Sequence, residues 1–178
     1  VDVHLSDDQK PVPREGELPL SFAQQRLWFL HQFEPDSNKY NMPIPLHLEG
    51  AIEHSVLERT LNELVRRHEV LRTTFVTVDG QPLQVIAPAK KSHLPQVDLS
   101  ELPESVRRAE ANRLAIEETQ RPFNLSQGPL LRATLVRLAP EEYFFLLNMH
   151  HIVSDGWSMG IFTKEIAQLY AAFARGEN

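Results

Sequence analysis

The sequence predicts an α/β sandwich in which a mixed β-sheet packs against helices. Three observations lead to this prediction. Segments with helical periodicity alternate along the chain with strand-like segments, and at least one hairpin signal joins two strands. The chain has 178 residues, of which 42% are hydrophobic, and this is enough for one domain with its own core.

The domain is expected to span residues 20–178, after a linker or N-terminal arm. Residues 1–19 are polar and include Pro11, Pro13 and Pro19. That composition is typical of an extended segment and not of a packed core.

Four segments carry apolar residues at helical spacing. Ser21 is the expected N-cap of the first helix, which Pro35 stops, and Ser158 is the expected N-cap of the last. The four predicted helices are Phe22 to Phe33, Glu53 to His68, Pro103 to Gln120 and Ser158 to Ala174.

Strand signals lie between the helices. Pro43 and Pro45 indicate a sheet edge or an irregular strand start for the first strand, because proline has no N–H to donate to a neighbour. Asp79-Gly80 is a strong hairpin signal. The predicted strands are Met42 to Leu48, Thr73 to Val78, Leu83 to Ile86, Leu130 to Leu138 and Tyr143 to Ile152.

Composition argues against several classes of function. The net charge is −6 with no basic stripe, which disfavours nucleic-acid binding. The absence of cysteine excludes disulfides, zinc–thiolate sites and cysteine nucleophiles, and it is compatible with a reducing compartment. No signal peptide and no apolar run long enough to span a bilayer are found. We therefore expect a cytoplasmic protein that works away from membranes.

The chemistry is expected in the run Asn148 to Gly156, which follows the last apolar strand. Strand alternation turns His150 and His151 to opposite faces, so one faces a reaction channel and the other the packed side. This disfavours a metal hydrolase, which would need both imidazoles to converge on the ion. Asp155 can approach the His151 ring or pair with a cation, and Gly156 permits a tight turn or close substrate approach.

Histidine suits proton transfer near neutral pH because its unperturbed pKa is about 6.5. No serine lies in a G-x-S-x-G elbow, so the motif fits direct transfer between two bound substrates. Spacing alone leaves a catalytic histidine and a hydrogen-bonded core histidine equally open.

Three ordered motifs resemble those of condensation domains of nonribosomal peptide synthetases, within the chloramphenicol acetyltransferase-like superfamily. The pattern His-His-x-x-x-Asp-Gly at His150 to Gly156, continued by Trp157 and Ser158, is similar to the family's signature. Ser21 to Leu30 and Arg67 to Phe75 resemble its first two motifs. The resemblance extends over about Leu18 to Gly176.

The resemblance implies an amide-forming reaction. Similar domains join an upstream acyl or peptidyl thioester to the α-amine of a downstream aminoacyl thioester. Both substrates ride on 4'-phosphopantetheine arms of peptidyl carrier domains, and the domain itself binds neither a cofactor nor a metal. His151, the second histidine, is the expected catalytic residue, which deprotonates or orients the amine.

The resemblance also assigns supporting roles to other residues of the motifs. His150 and Asp155 are expected to support the site, with Asp155 paired to Arg72 or, as second choice, Arg67. Substrate positioning is expected from the remaining three residues of the signature, Gly156, Trp157 and Ser158.

Similar domains consist of two related halves with the reaction channel between them. The later family motifs are missing here, so we expect this chain to be the N-terminal half and to be inactive alone. An apolar face should be exposed where the C-terminal half packs. Further expected partners are the two carrier domains and an adjacent adenylation domain, but no nucleic acid and no membrane.

Alternatives within and outside the family stay open. An epimerisation-type relative shares the double histidine but usually lacks the Gly-Trp-Ser continuation seen at Gly156 to Ser158. A non-catalytic module that docks carrier domains is the alternative from another class. The motif favours an L-donor joined to an L-acceptor, while the amino acids themselves are not readable from the sequence.

Overall fold

The computed structural model describes residues 16–177, and the part of the predicted arm at residues 1–15 lies outside them. Seven strands and four α-helices are present in this range. The strands are β1 Leu18–Pro19, β2 Asn41–Glu49, β3 Thr73–Val78, β4 Gln81–Ile86, β5 Gln96–Asp98, β6 Leu131–Ala139 and β7 Glu142–His150. The helices are α1 Phe22–Phe33, α2 His54–Arg67, α3 Glu104–Gln120 and α4 Gly156–Ala174, with a 3-10 turn at Glu69–Arg72 after α2.

A four-stranded sheet with the order β2-β7-β6-β5 forms the centre of the molecule. β7 pairs antiparallel with β2 and β6, whereas β5 runs parallel to β6. The predicted mixed sheet is therefore confirmed. β2 lies at its edge, as its two prolines predicted, since an edge strand can leave one row of backbone groups unpaired.

A second, three-stranded sheet has the order β1-β4-β3. Val78 pairs with Gln81, so the hairpin predicted at Asp79-Gly80 is confirmed as a two-residue turn. Leu18 and Pro19 fall in the predicted arm, but they pair with β4 as the short strand β1. Neither β1 nor β5 was predicted from the sequence, because two or three residues are too few to show a period.

The core lies on both faces of the central sheet. Tyr143, Phe145, Leu147 and Met149 of β7 pack with buried residues of α2 and α4. Leu146 faces the other way and belongs to a cluster on the side of α3. β7 is thus covered on both faces, which explains why its sequence is almost continuously apolar. None of the described helices is long and apolar enough to cross a membrane.

The connection from β7 to α4 corrects two predictions. The last strand was expected to reach Ile152, but it ends at His150, where the Val153 N–H donates to the His150 carbonyl (3.0 Å) and turns the chain. Ser158 was expected to cap α4, but the N-cap is Asp155 and the helix begins at Gly156. Ser158 is the other half of a capping box, in which Asp155 accepts from the Ser158 N–H at 2.8 Å.

Candidate active site

The two histidines of the motif lie in opposite surroundings. His150 is the last residue of β7 and is only 3% exposed. His151 follows the strand end and is exposed to solvent. The strand end and the turn after it therefore separate the two rings.

His150 is held as a neutral, buried ring. Its Nδ1 accepts from the Ile152 N–H at 3.0 Å, so in the neutral ring Nε2 carries the proton. The ring packs against Tyr40 and Phe123, with centroids 6.2 and 6.1 Å away. Burial, with smaller contributions from His31 and His151, lowers the pKa of His150 to about 4. This environment suits a supporting role and disfavours proton uptake.

His150 also borders a cavity of about 370 Å³ between α1 and the end of β7. The cavity is lined by Phe29, Leu30, His31, Phe33, Glu34, Ser37, Lys39, Tyr40 and His150. The first histidine of the motif thus faces this cavity, on the packed side of the strand end.

His151 is oriented by the backbone at two points. Its N–H donates to the Tyr40 carbonyl at 2.9 Å, and its ring Nδ1 lies 2.7 Å from the Ser154 carbonyl oxygen. Because a carbonyl oxygen only accepts, Nδ1 must carry the proton in the neutral ring. Nε2 then holds the free lone pair, and among the described residues it has no hydrogen-bond partner. The exposed ring is therefore arranged to accept a proton or a hydrogen bond at Nε2.

The start of α4 is held together by its own residues. Hydrogen bonds from Ser158 hold the pKa of the Asp155 carboxyl below its usual value, and the N–H of Trp157 and the nearby His151 ring add to this effect. The Ser158 hydroxyl accepts from the Asp155 N–H at 2.7 Å and contacts the Asp155 carbonyl at 3.0 Å. That hydroxyl therefore belongs to the helix cap, and the substrate-positioning role expected for Ser158 stays a prediction.

Gly156 and Trp157 lie on the open side of this helix start. A Cβ added at Gly156 would meet no described atom within 4 Å, so the glycine leaves free space beside the motif. The Trp157 side chain is 82% exposed. Both residues are therefore accessible, and the substrate-positioning role expected for them stays a prediction.

The predicted pairing of Asp155 with Arg72 or Arg67 is not formed among the described residues. Arg67 pairs with Glu63 at 2.6 Å, while Arg72 contacts Glu69 at 3.4 Å and donates to the Ala87 carbonyl. Within residues 16–177, no arginine forms an ion pair with Asp155. The physical reason is local, because Glu63 and Glu69 precede the two arginines by four and three residues, and the helix N-terminus satisfies Asp155.

A buried ion pair supports His150 through the Phe123 ring. Arg132 lies 2.5 Å from Glu118, and both side chains are largely buried. The guanidinium stacks on the Phe123 ring at 3.6 Å, and the edge of Phe123 meets His150. Asn148 donates to the Glu118 carbonyl at 2.8 Å and ties the same helix to β7. These contacts link α3 to β7, the strand that ends at His150.

Several groups that shape the site carry no recognisable signal in the sequence. The carbonyls of Tyr40 and Ser154 orient His151, but a backbone acceptor leaves no residue-type signal. Glu165 of α4 contacts His68 at 2.6 Å and joins the start of the second motif to the helix after the signature. Their spacing of 97 residues explains why no local pattern revealed this contact.

Large apolar side chains are exposed on the helices next to the motif. Phe22 is 91% exposed, and Phe29 and Phe33 of α1 are also exposed. Trp157 and Ile161 are exposed on α4. Exposed aromatic residues in such numbers are characteristic of surfaces that another body covers.

A central sheet with helices on both faces, and a histidine presented where its middle strand ends, corresponds to the chloramphenicol acetyltransferase-like fold. The sequence profile of the condensation domain family matches residues 14–178. The chain therefore belongs to the condensation domain family.

Curated relatives are large peptide synthetases. The chain is 54% identical over 167 residues to a linear gramicidin synthase of Brevibacillus parabrevis, a match that covers 94% of this chain and 3% of that protein. It is 46% identical over 168 residues to malpinin synthetase of Mortierella alpina, covering 94% of this chain and 2% of that protein.

Solved structures that resemble this chain are also condensation domains. The starter condensation domain of the rhizomide synthetase RzmA matches with a TM-score of 0.84 and 31% identity, over 92% of this chain and 41% of that one. The first condensation domain of the calcium-dependent antibiotic synthetase, in complex with a substrate analogue, matches with a TM-score of 0.82 and 28% identity, over 92% of this chain and 39% of that one. The chain thus spans well under half of these solved domains.

Proposed function

We propose that this chain acts within a condensation domain of a nonribosomal peptide synthetase. The reaction joins an upstream carrier-bound acyl or peptidyl thioester to the α-amine of a downstream carrier-bound aminoacyl thioester. The observation that carries this proposal is the geometry of His151, whose Nδ1 is committed to the Ser154 carbonyl while Nε2 stays free on an exposed ring.

In the proposed step the downstream amine nitrogen attacks the upstream thioester carbonyl. The new C–N bond forms, the C–S bond breaks, and the phosphopantetheine thiol leaves with a proton. His151 Nε2 accepts the amine proton or orients the amine through a hydrogen bond, and the Gly156 backbone at the helix start positions the reacting carbonyl. The catalytic group needed on this chain is then a single imidazole.

The other parts of the proposal follow from the same family membership. The substrates are carried on 4'-phosphopantetheine arms of the upstream and downstream carrier domains, and an adenylation domain is a neighbour. The chain supplies the N-terminal half of the domain and needs the C-terminal half for activity. Its cytoplasmic location also stays a prediction.

The test is His151→Ala in the synthetase that contains this chain, with both carrier domains loaded. We expect product formation to fall by about 10²- to 10⁴-fold, the range that a positioned acid–base group contributes. The readout is the condensed thioester, released and quantified by mass spectrometry. His47→Ala is the matched control, because His47 is an exposed histidine on the edge strand β2, where it contacts Glu142 at 3.2 Å.

The same assay separates the alternatives. A module that only docks carrier domains would keep its product yield in His151→Ala. An epimerisation-type domain would yield the epimer of the upstream thioester, and no elongated peptide would form. Either result would overturn the proposal.

A further inference from the structure

Two histidines and a glutamate converge away from the β7–α4 connection. His54 and Glu58 lie one turn apart on α2, and His93 lies in the segment 87–95 that leads to β5. One potential ligand atom from each of the three lies within 4.8 Å of the other two. His93 is distant in sequence from the other two, so tertiary packing alone brings it to them.

The three side chains are already organised by short contacts. His93 Nδ1 lies 2.8 Å from Glu58 Oε2, which also accepts from the Leu94 N–H at 2.8 Å. His54 Nε2 lies 2.8 Å from the Leu94 carbonyl. Because that oxygen only accepts, the neutral His54 ring keeps its lone pair on Nδ1.

This pattern of contacts is one that metal-binding histidines use. A metal-ligating imidazole almost always donates its other N–H to a carbonyl or carboxylate, which fixes the ring and its tautomer. The Leu94 carbonyl supplies such an acceptor for His54. The Leu94 N–H donates to Glu58 Oε2, so one residue of this segment holds both the carboxylate and the His54 ring.

The chemistry of the donors selects the kind of ion. Two imidazole nitrogens and one carboxylate oxygen suit zinc and its neighbours among the divalent transition metals, at ligand distances of about 2.0–2.2 Å. Magnesium and calcium prefer sets made only of oxygen. His93 is 76% exposed at its side chain, so it can turn to close the remaining distance.

We propose that His54, Glu58 and His93 bind a divalent transition-metal ion of the zinc type. The ion fastens the segment 87–95 to α2, and water completes its coordination. Glu58, His93 and Leu94 also line a cavity of about 400 Å³, so the ion stabilises one wall of that cavity. The site is separate from His151, and its test is independent of the condensation reaction.

The experiment is a titration of the 178-residue chain, free of any affinity tag, with ZnCl₂ alone. Isothermal calorimetry should show one tight site, and thermal unfolding should shift to higher temperature as zinc is added, because the ion binds only the folded site. In His93→Ala the affinity should fall by more than about tenfold, since even the outer partners of metal ligands account for 10- to 100-fold. The thermal shift should be lost with it.

Two controls make the result decisive. His47→Ala, at a histidine that contacts Glu49 at 3.5 Å and Glu142 at 3.2 Å on β2, should bind zinc like the parent protein. MgCl₂ should give no thermal shift. His54→Ala is the second ligand variant, and its fold is checked by circular dichroism. If His54→Ala unfolds, the test depends on His93→Ala, because His93 is exposed and its replacement disturbs packing little.

Three results would overturn the proposal. They are equal zinc affinity in the parent and His93→Ala, loss of the site in His47→Ala instead, and a parent protein that shows neither binding heat nor a thermal shift with zinc.

Discussion

At the scale of single residues, adjacent histidines acquire different protonation chemistry from their surroundings. His150 accepts a backbone N–H at Nδ1 and is buried among aromatic rings, whereas His151 donates from Nδ1 to a carbonyl and is exposed. The two neutral rings are therefore opposite tautomers. Of the two, His151 presents its free acceptor nitrogen, Nε2, on an exposed ring.

The buried ring predicts a pH dependence of stability. The pKa of His150 is about 4 in the folded chain and about 6.5 when unfolded. As the pH falls below 6.5 the unfolded chain takes up a proton that the folded ring refuses, so this stability is lost progressively until about pH 4. The loss approaches about 1.4 kcal/mol per pH unit and totals about 3 kcal/mol.

The variant His150→Asn tests this dependence. The asparagine amide oxygen can replace Nδ1 as acceptor of the Ile152 N–H, but it does not titrate. Urea unfolding at several pH values between about 6.5 and 4 should give a flatter stability profile for His150→Asn than for the parent. An unchanged profile in His150→Asn would contradict the prediction.

At the scale of elements, short connections decide where the reactive groups lie. β7 ends at His150 because the chain turns there, and the Asp155–Ser158 capping box starts α4 a few residues later. The interval is too short for His151 to move far from the strand end. The exposed imidazole is therefore held between a rigid strand and a capped helix.

The β3–β4 turn gives a prediction at this scale. Asp79 and Gly80 have φ values of 49° and 80°, the left-handed geometry of a two-residue hairpin turn. Gly80→Ala should lower the free energy of unfolding by about 1–2 kcal/mol, because a Cβ is strained in this conformation. Chemical denaturation measures the change. Asp79→Asn is the control and should stay within about 0.5 kcal/mol, since asparagine tolerates the same region.

At the scale of the whole molecule, large aromatic side chains are exposed on α1 and α4. Phe22 and Trp157 are 91% and 82% exposed, and the chain spans 41% of the solved RzmA condensation domain. In our proposal the C-terminal half covers such surfaces and supplies the second wall of the channel. Orientation of two tethered substrates depends on both walls, and such positioning can supply about 7–11 kcal/mol.

We therefore expect the 178-residue chain alone to form no detectable amide from two loaded carrier domains. Adding the C-terminal half of the domain as a separate polypeptide should restore part of the activity, and adding it to the His151→Ala chain should not. Product is quantified by mass spectrometry. A rate for the chain alone that is near the rate of the intact domain would contradict this prediction.

Much of this protein was readable from local sequence. The bounds of α1, the edge position of β2 and the β3–β4 turn follow from periodicity, proline chemistry and glycine geometry, which act over a few residues. Strand alternation also predicted that His150 and His151 face different surroundings, although the strand ends two residues earlier than expected. These features depend on hydrogen bonds and side-chain spacing within one element.

Only the tertiary structure decided which distant groups meet. It joins His68 to Glu165, and it gathers His54, Glu58 and His93 around Leu94. It also pairs β5, too short to show a period, with β6. The reason is physical, because a charged or polar side chain takes whichever partner the packed chain brings within about 3 Å, and that choice is made by the fold as a whole.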